Sequence, residues 1–198
     1  MTPLEMKTGE IHKSIAKIHK KNMKYGFLSS FEVRFLALLY WAIDYEKDSV
    51  IFYEEKNGKV VGFIAGSLGM KAIFKRMLCR PVELLISILP SLFSIKRLKG
   101  IIEIFYYGFF TPKIKSISNA ELLSIAVDSS FRGEGIAEKL YDRLKHHFEQ
   151  KKMNSFSIIV GSSLEVARSF YERMGANAIG EIEVHSGKDS VIYIQELL

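Results

Sequence analysis

Cysteine is almost missing from this sequence. Cys79 is the single one in 198 residues, which rules out an intrachain disulfide, a thiolate metal cluster and a disulfide-stapled scaffold, and fits a reducing cytoplasm. Placed in an apolar stretch with no basic partner pattern, it is expected to be a buried or interfacial thiol rather than a nucleophile. Metal-binding histidine spacing is missing as well. No His-x-x-x-His pair occurs, and the adjacent His146 and His147 diverge around a helix, so no metal is expected. His185, near a turn, is expected at the surface. Long apolar runs are scarce: "PVELLISILPSLFSI" at 81–95 falls short of the ~20 residues that cross a bilayer and contains Glu83 and Pro90. The N-terminal "MTPLEMKTGEIHKSIAKIHKKN" lacks the apolar core of a signal peptide. A cytoplasmic protein without a transmembrane helix is therefore expected. Repeats and low-complexity segments are absent too.

What is present is globular. Hydrophobic residues make up 48% and charged residues 25% of the chain, a composition that excludes disorder, and the length fits one domain over 1–198. The 28 Lys and Arg against 22 Asp and Glu leave a net charge of +6. That balance suits phosphorylated ligands, anionic membrane surfaces or nucleic acid without choosing among them.

Ile11, Ile15 and Ile18 recur at helical spacing, and "SSFEVRFLALLYWAI" gives a second helical pattern that Ser30 can cap. "SVIFYEE" and "KVVGFIAGSL" are β-branched and aromatic runs on either side of "KNGK", where Asn57-Gly58 favours a tight hairpin turn. Residues 70–111 are apolar and basic. Their helical spacing, broken by Pro81 and Pro90, predicts two or three short inserted helices. "NAELLSIAV" at 119–127 returns to strand character, and a helix follows with Ile136, Leu140, Leu144 and Phe148 on one face. Then come a short strand, "SFSIIV", and a helix striped by Ala167, Phe170, Tyr171 and Met174 that Gly175 can end. "AIGEIEV" and "SVIYIQEL" predict an antiparallel pair across "HSGKD".

The segment "VDSSFRGEGIAEKL" at 127–140 runs from strand through a glycine-rich turn into a helix. First-turn N–H groups lack intrahelical partners and the helix dipole adds positive charge, so this geometry either binds an anion or is a plain turn. A dinucleotide fingerprint would need glycine at Glu138. A P-loop would need glycine there too, and Ser or Thr at Leu140. Both are excluded.

The remaining pattern, Arg132-x-x-Gly135-x-Ala137, resembles the acyl-CoA signature of the GNAT superfamily of N-acyltransferases, Arg/Gln-x-x-Gly-x-Gly/Ala. Downstream, "SLEVARSFYERMGA" resembles the second part of that family's cofactor site, Asn-x-x-Ala-x-x-x-Tyr-x-x-x-Gly, with Ala167, Tyr171 and Gly175 in register and Leu164 in place of the asparagine. The lost polar contact is either absent or made by Ser162 or Ser163. The resemblance covers 49–69 and 119–198 and leaves the 70–111 insertion outside. It implies an α/β (α+β) fold, a mixed, mostly antiparallel sheet flanked by helices. It also implies acetyl-CoA as co-substrate, its pyrophosphate on Arg132, Gly133, Glu134, Gly135, Ile136 and Ala137. Main-chain groups of Ile125, Ala126 and Val127 would lie along the pantetheine arm, with Ser163 and Ala167 contributing to the cofactor site.

The implied function is N-acetyl transfer to a primary amine of a small molecule, an amino sugar or a peptide, by direct attack on the thioester. Such chemistry needs a neutral amine, a stabilised oxyanion and a proton for the leaving thiolate. Tyr171 is the candidate acid, because a phenol of pKa ~10 can protonate a thiolate whose thiol lies near ~8.5. Glu121 is the candidate base, and strict alternation would set it on the strand face of Leu123, Ile125 and Val127. The N–H groups near Ile125 are candidates for the oxyanion. Two other readings are a silent coenzyme A binding module and a basic peripheral binder of membranes or nucleic acid; the favoured reading has no nucleic-acid partner. The insertion carries Lys71, Lys75, Arg76, Arg80, Lys96, Arg97 and Lys99 against Glu83 and Glu103. It is expected to wall the acceptor pocket, with weak membrane-surface contact or a homodimer interface as further uses.

Overall fold

The computed structural model describes residues 3–23, 28, 31–92, 118–185 and 188–197, without the side chains of 3–7, 90–92, 183–185 and 188. Ser30, residues 93–111 of the insertion, the His185 side chain and the middle of "HSGKD" lie outside that part.

Six strands form one sheet in the order β1-β2-β3-β4-β6-β5. Helix α1 (Pro3–Asn22) and helix α2 (Val33–Asp44) open the chain. Ile15 and Ile18 of α1 are buried against Phe35, Leu36, Leu39 and Tyr40 of α2, as the apolar spacing predicts. The residue preceding α2 is Glu32, which makes no side-chain cap. Strands β1 (Ser49–Lys56) and β2 (Lys59–Ser67) then pair antiparallel. Their turn has Asn57 and Gly58 at φ 52° and 70°, the left-handed pair that a two-residue hairpin needs.

The insertion continues as α3 (Met70–Leu78) and α4 (Pro81–Leu92). Ile73, Phe74 and Met77 fix α3 to the core beside α2. Pro81 stands at the first position of α4, where a missing N–H costs nothing, and α4 runs on through Pro90 instead of stopping there. The outward residues Val82, Leu85, Ile86 and Leu89 are 41–68% exposed. Cys79 corrects the sequence expectation: it is exposed just beyond the end of α3.

Strand β3 (Ala120–Val127) follows, then a short 3-10 turn at Ser129–Phe131, helix α5 (Ile136–Gln150), strand β4 (Ser155–Gly161), helix α6 (Glu165–Arg173) and the antiparallel pair β5 (Asn177–His185) and β6 (Lys188–Glu196). Among the described residues only β3 and β4 pair in parallel. One apolar cluster lies under α1, α2 and α3 on one face of the sheet, the other under α5 and α6 on the opposite face. Helix α5 lies close because β2 offers glycine beneath it. A Cβ on Gly66 would stand 2.6 Å from Leu144 Cδ1 and 2.9 Å from Phe148 Cζ.

Candidate active site

The site begins where two parallel strands stop pairing. Strand β3 matches β4 only at Ala120↔Phe156, Glu121↔Ser157 and Leu122↔Ile158, although both strands run on. Beyond that point the Asp128 N–H donates to the Val61 carbonyl, 2.8 Å away on the β2 side. Main-chain groups alternate along a strand, so those of Val127 and Ile125 point the other way, into the gap that β4 has left. Of the sequence-predicted strand groups, those of Ile125 and Val127 are therefore free for a ligand, whereas those of Ala126 face β2.

At the end of β3 the chain turns. Asp128 accepts from the Ser130 N–H at 3.1 Å and pairs with Lys21 at 3.0 Å. These contacts hold the Asp128 carboxyl below its ordinary pKa. Gly133 and Gly135 adopt φ 81° and 73°, values that side chains with a Cβ rarely take. Nothing lies within 4 Å of a Cβ built on either. Helix α5 makes its first bond from the Lys139 N–H to the Gly135 carbonyl, so the N–H groups of Ile136, Ala137 and Glu138 precede the ladder. This is an open cradle of donors at a helix N-terminus, and its chemistry fits a pyrophosphate. The neighbouring acids are neutralised: Glu134 pairs with Lys56, and Glu138 with Arg173 at 3.4 Å. Arg132 donates to Asn22 Oδ1 at 3.1 Å, which draws it toward the end of α1.

Glu121 lies at the base of the gap. Opposite it on β2 is Ser67, and opposite Leu122 is Gly66, but Ala65 faces Ser124, so Leu123 is an extra, bulged residue. The bulge overturns the expected alternation. Glu121 shares the α1–α2 face with Ser124 and Ala126, whereas Ile125 and Val127 join the cluster under α5. The Glu121 side chain is half-buried and forms no hydrogen bond or ion pair with the described residues. Burial pushes its carboxyl up to about 7.

Tyr171 lies on the other side of the sheet. It is 6% exposed on α6, packed among Tyr141, Phe170 and Tyr193. Burial raises its pKa, so it stays a proton donor at neutral pH. Its hydroxyl makes no hydrogen bond to a described residue. The two candidate catalytic groups thus lie on opposite faces of the sheet. Ala167 is half-buried on the same helix, and Leu164 packs into the cluster beside it. Of the two serines near Leu164, Ser163 is exposed, whereas Ser162 Oγ is buried without a partner among the described residues. The Ser162 N–H is held by the Asp189 carbonyl and its own carbonyl by Arg168, leaving the hydroxyl free.

Sequence reasoning missed the residues behind Glu121. His19, Tyr40 and Ser124 form a buried polar chain, and the signal available was a lone serine inside the apolar run "LLSIAV". A surface hollow of about 810 Å³ between β1 and α5 holds none of the predicted site residues. Among the described residues no group of three or more His, Cys, Asp or Glu is placed to hold a metal, and no helix is long and apolar enough to cross a membrane.

A sheet opened between two parallel strands, with a glycine cradle at the following helix, defines an acyl-CoA-dependent acyltransferase fold. The chain belongs to the acetyltransferase (GNAT) family, whose model matches residues 14–176 and so starts within α1, takes in α2 and reaches across the insertion. It is an acyl-CoA-dependent N-acetyltransferase with acetyl-CoA as co-substrate. Its fold is similar to an N-acetyltransferase from Staphylococcus aureus Mu50, at 17% identity over 96% of this chain and 94% of that one, with a TM-score of 0.62. An acetyltransferase structure at 19% identity covers 96% of both chains with a TM-score of 0.55. A protein assigned as a streptothricin acetyltransferase from Bacillus anthracis str. Ames, solved with acetyl coenzyme A, matches at 13% identity over 80% of this chain and 68% of its own, with a TM-score of 0.52. No curated protein matches the sequence.

Proposed function

We propose that the chain, as one domain acting in the cytoplasm, acetylates a primary amine of a small molecule, amino sugar or peptide by direct attack of the amine nitrogen on the thioester carbonyl. The observation that carries this reading is Glu121: a half-buried carboxyl with no partner among the described residues, raised by burial to about 7, one residue before β3 and β4 part. A base of that pKa is half ionised at neutral pH and takes a proton from an ammonium with little penalty.

Acetyl-CoA supplies the activated acyl carbon and a leaving thiolate. The residues supply everything else. The cradle of Arg132, Gly133, Glu134, Gly135, Ile136 and Ala137 holds the pyrophosphate through main-chain donors, with Ile125, Ala126 and Val127 along the arm. The Ile125 N–H points into the gap, where it stabilises charge developing on the carbonyl oxygen. Glu121 Oε takes the amine proton, and the Tyr171 hydroxyl gives one to the departing sulfur. The free hydroxyl of Ser162, with Ser163 and Ala167 beside it, replaces the polar contact that Leu164 cannot make.

The test is thiol release from acetyl-CoA across a panel of amines. Turnover that is lost in Glu121→Gln and Tyr171→Phe, with coenzyme A binding retained, is the expected result. Coenzyme A binding with no turnover on any amine would favour the silent binding module instead.

The insertion begins beside the base, since Ser67 faces Glu121 and α3 starts at Met70. That placement supports its role as a wall of the acceptor pocket.

A further inference from the structure

The buried chain of His19, Tyr40 and Ser124 has no part in the chemistry above. These residues are 1%, 0% and 4% exposed. His19 Nδ1 lies 2.5 Å from the Tyr40 hydroxyl, which lies 3.1 Å from Ser124 Oγ. Burial, with Lys20 nearby, lowers the imidazole to about 4, so the ring is neutral at pH 7. Burial also holds Tyr40 in its protonated form. The acid–base match gives the chain a direction: the phenol donates to the neutral imidazole, and the serine donates to the phenol. His19 Nε2 is left buried without a partner among the described residues. A polar chain with an orphaned end is a poor stabiliser, but it discriminates sharply between one packing and another.

The packing it selects is the bulge. Ser124 directly follows the unmatched Leu123. A one-residue slip of this part of β3 would turn every following side chain to the other face. Ser124 would leave Tyr40 for the apolar cluster under α5, and Ile125 would exchange faces with it. Without the bulge, Glu121 and Ile125 would stand on one face; with it, they are separated across the strand.

We propose that His19, Tyr40 and Ser124 form a positioning relay that locks the bulge of β3, holding Glu121 and the Ile125 N–H in the relative places that acyl transfer requires. The role of Glu121 in this proposal rests on its reading as the base. Tyr40 and Ser124 act through the strand and touch no substrate.

Tyr40→Phe and Ser124→Ala each delete one oxygen. Both variants should bind coenzyme A, by calorimetry, with the parent's affinity. Hydrogen exchange at the Ala126 amide, which faces β2 just beyond the bulge and so reports the register of β3, followed by NMR, should be about tenfold faster in each. The Glu121 carboxyl, followed by ¹³C NMR, should titrate away from its parent midpoint. The double variant should be no worse than either single one, because both deletions break one device. Unchanged Ala126 exchange together with an unchanged Glu121 titration, in variants that merely melt earlier, would reduce the chain to core filling and overturn the proposal. If Tyr40→Phe does not fold, Ser124→Ala gives the same readouts. Failure of the base reading is seen separately, as full turnover in Glu121→Gln, and it leaves the amide-exchange result to stand by itself.

Discussion

Glu121 shows at the residue scale how one carboxylate serves reaction and fold in opposite directions. Burial raises its pKa from 4.5 to about 7. The folded state therefore holds a proton that the unfolded chain releases near 4.5. Its contribution to stability is full below that value and is lost as pH rises through about 7. Thiol release should thus rise with pH through about 7 as the carboxylate forms. Glu121→Gln should remove that limb and lower turnover by about a hundredfold or more. The same substitution should raise the melting temperature relative to the parent, by more at pH 8 than at pH 5. An equal shift at both pH values would mean that the carboxyl is not desolvated. Tyr171 separates binding from chemistry in another way. Tyr171→Phe keeps the ring contacts with Tyr141 and Tyr193, so coenzyme A affinity should hold while turnover falls by roughly tenfold to a hundredfold. A parallel loss of affinity would make Tyr171 a core residue only.

Elements matter here through how closely they approach. Helix α5 carries the cradle at its N-terminus, and its depth is set by the glycines of β2. Gly66 faces Leu144 and Phe148, both buried, so Gly66→Ala forces a side chain into filled space. Overpacking of that kind costs about 1–3 kcal/mol, measurable by chemical denaturation. Coenzyme A should bind more weakly in this variant, because lifting α5 lifts the donors of Ile136 and Ala137. Unaltered stability would show that α5 shifts freely. The helices and the hairpin were legible in the sequence because each buries one apolar stripe, and Asn57-Gly58 and Gly175 mark where two of them end. The bulge at Leu123 was not legible. Nothing in "ELLSIAV" distinguishes a bulged strand from a regular one, since Leu, Ser and Ile fit either face once a partner is chosen.

The whole molecule sets two faces of one sheet to separate tasks. The α5–α6 face supplies the cradle and Tyr171, and the α1–α2 face supplies Glu121 and the start of the insertion. The side chains of Lys71 and Lys75 are exposed on α3 with no hydrogen-bond or ion-pair partner among the described residues. Reversing both charges should raise the Michaelis constant for the amine acceptor and leave coenzyme A affinity nearly intact, because the cradle belongs to the other face. An equal loss of both would show that α3 does not serve the acceptor.

By itself the sequence determined the acyl-CoA signature, the paired motif at Ala167, Tyr171 and Gly175, and the order of helices and strands. These are local properties, set by spacing along the chain and by where glycine allows a left-handed turn. Tertiary structure alone decided that Glu121 and Tyr171 lie on opposite faces, that β3 and β4 part after Leu122, and that His19, Tyr40 and Ser124 meet. Those relations join residues up to 105 positions apart, from His19 to Ser124, and depend on strand register, which is settled by which side chains can share a core.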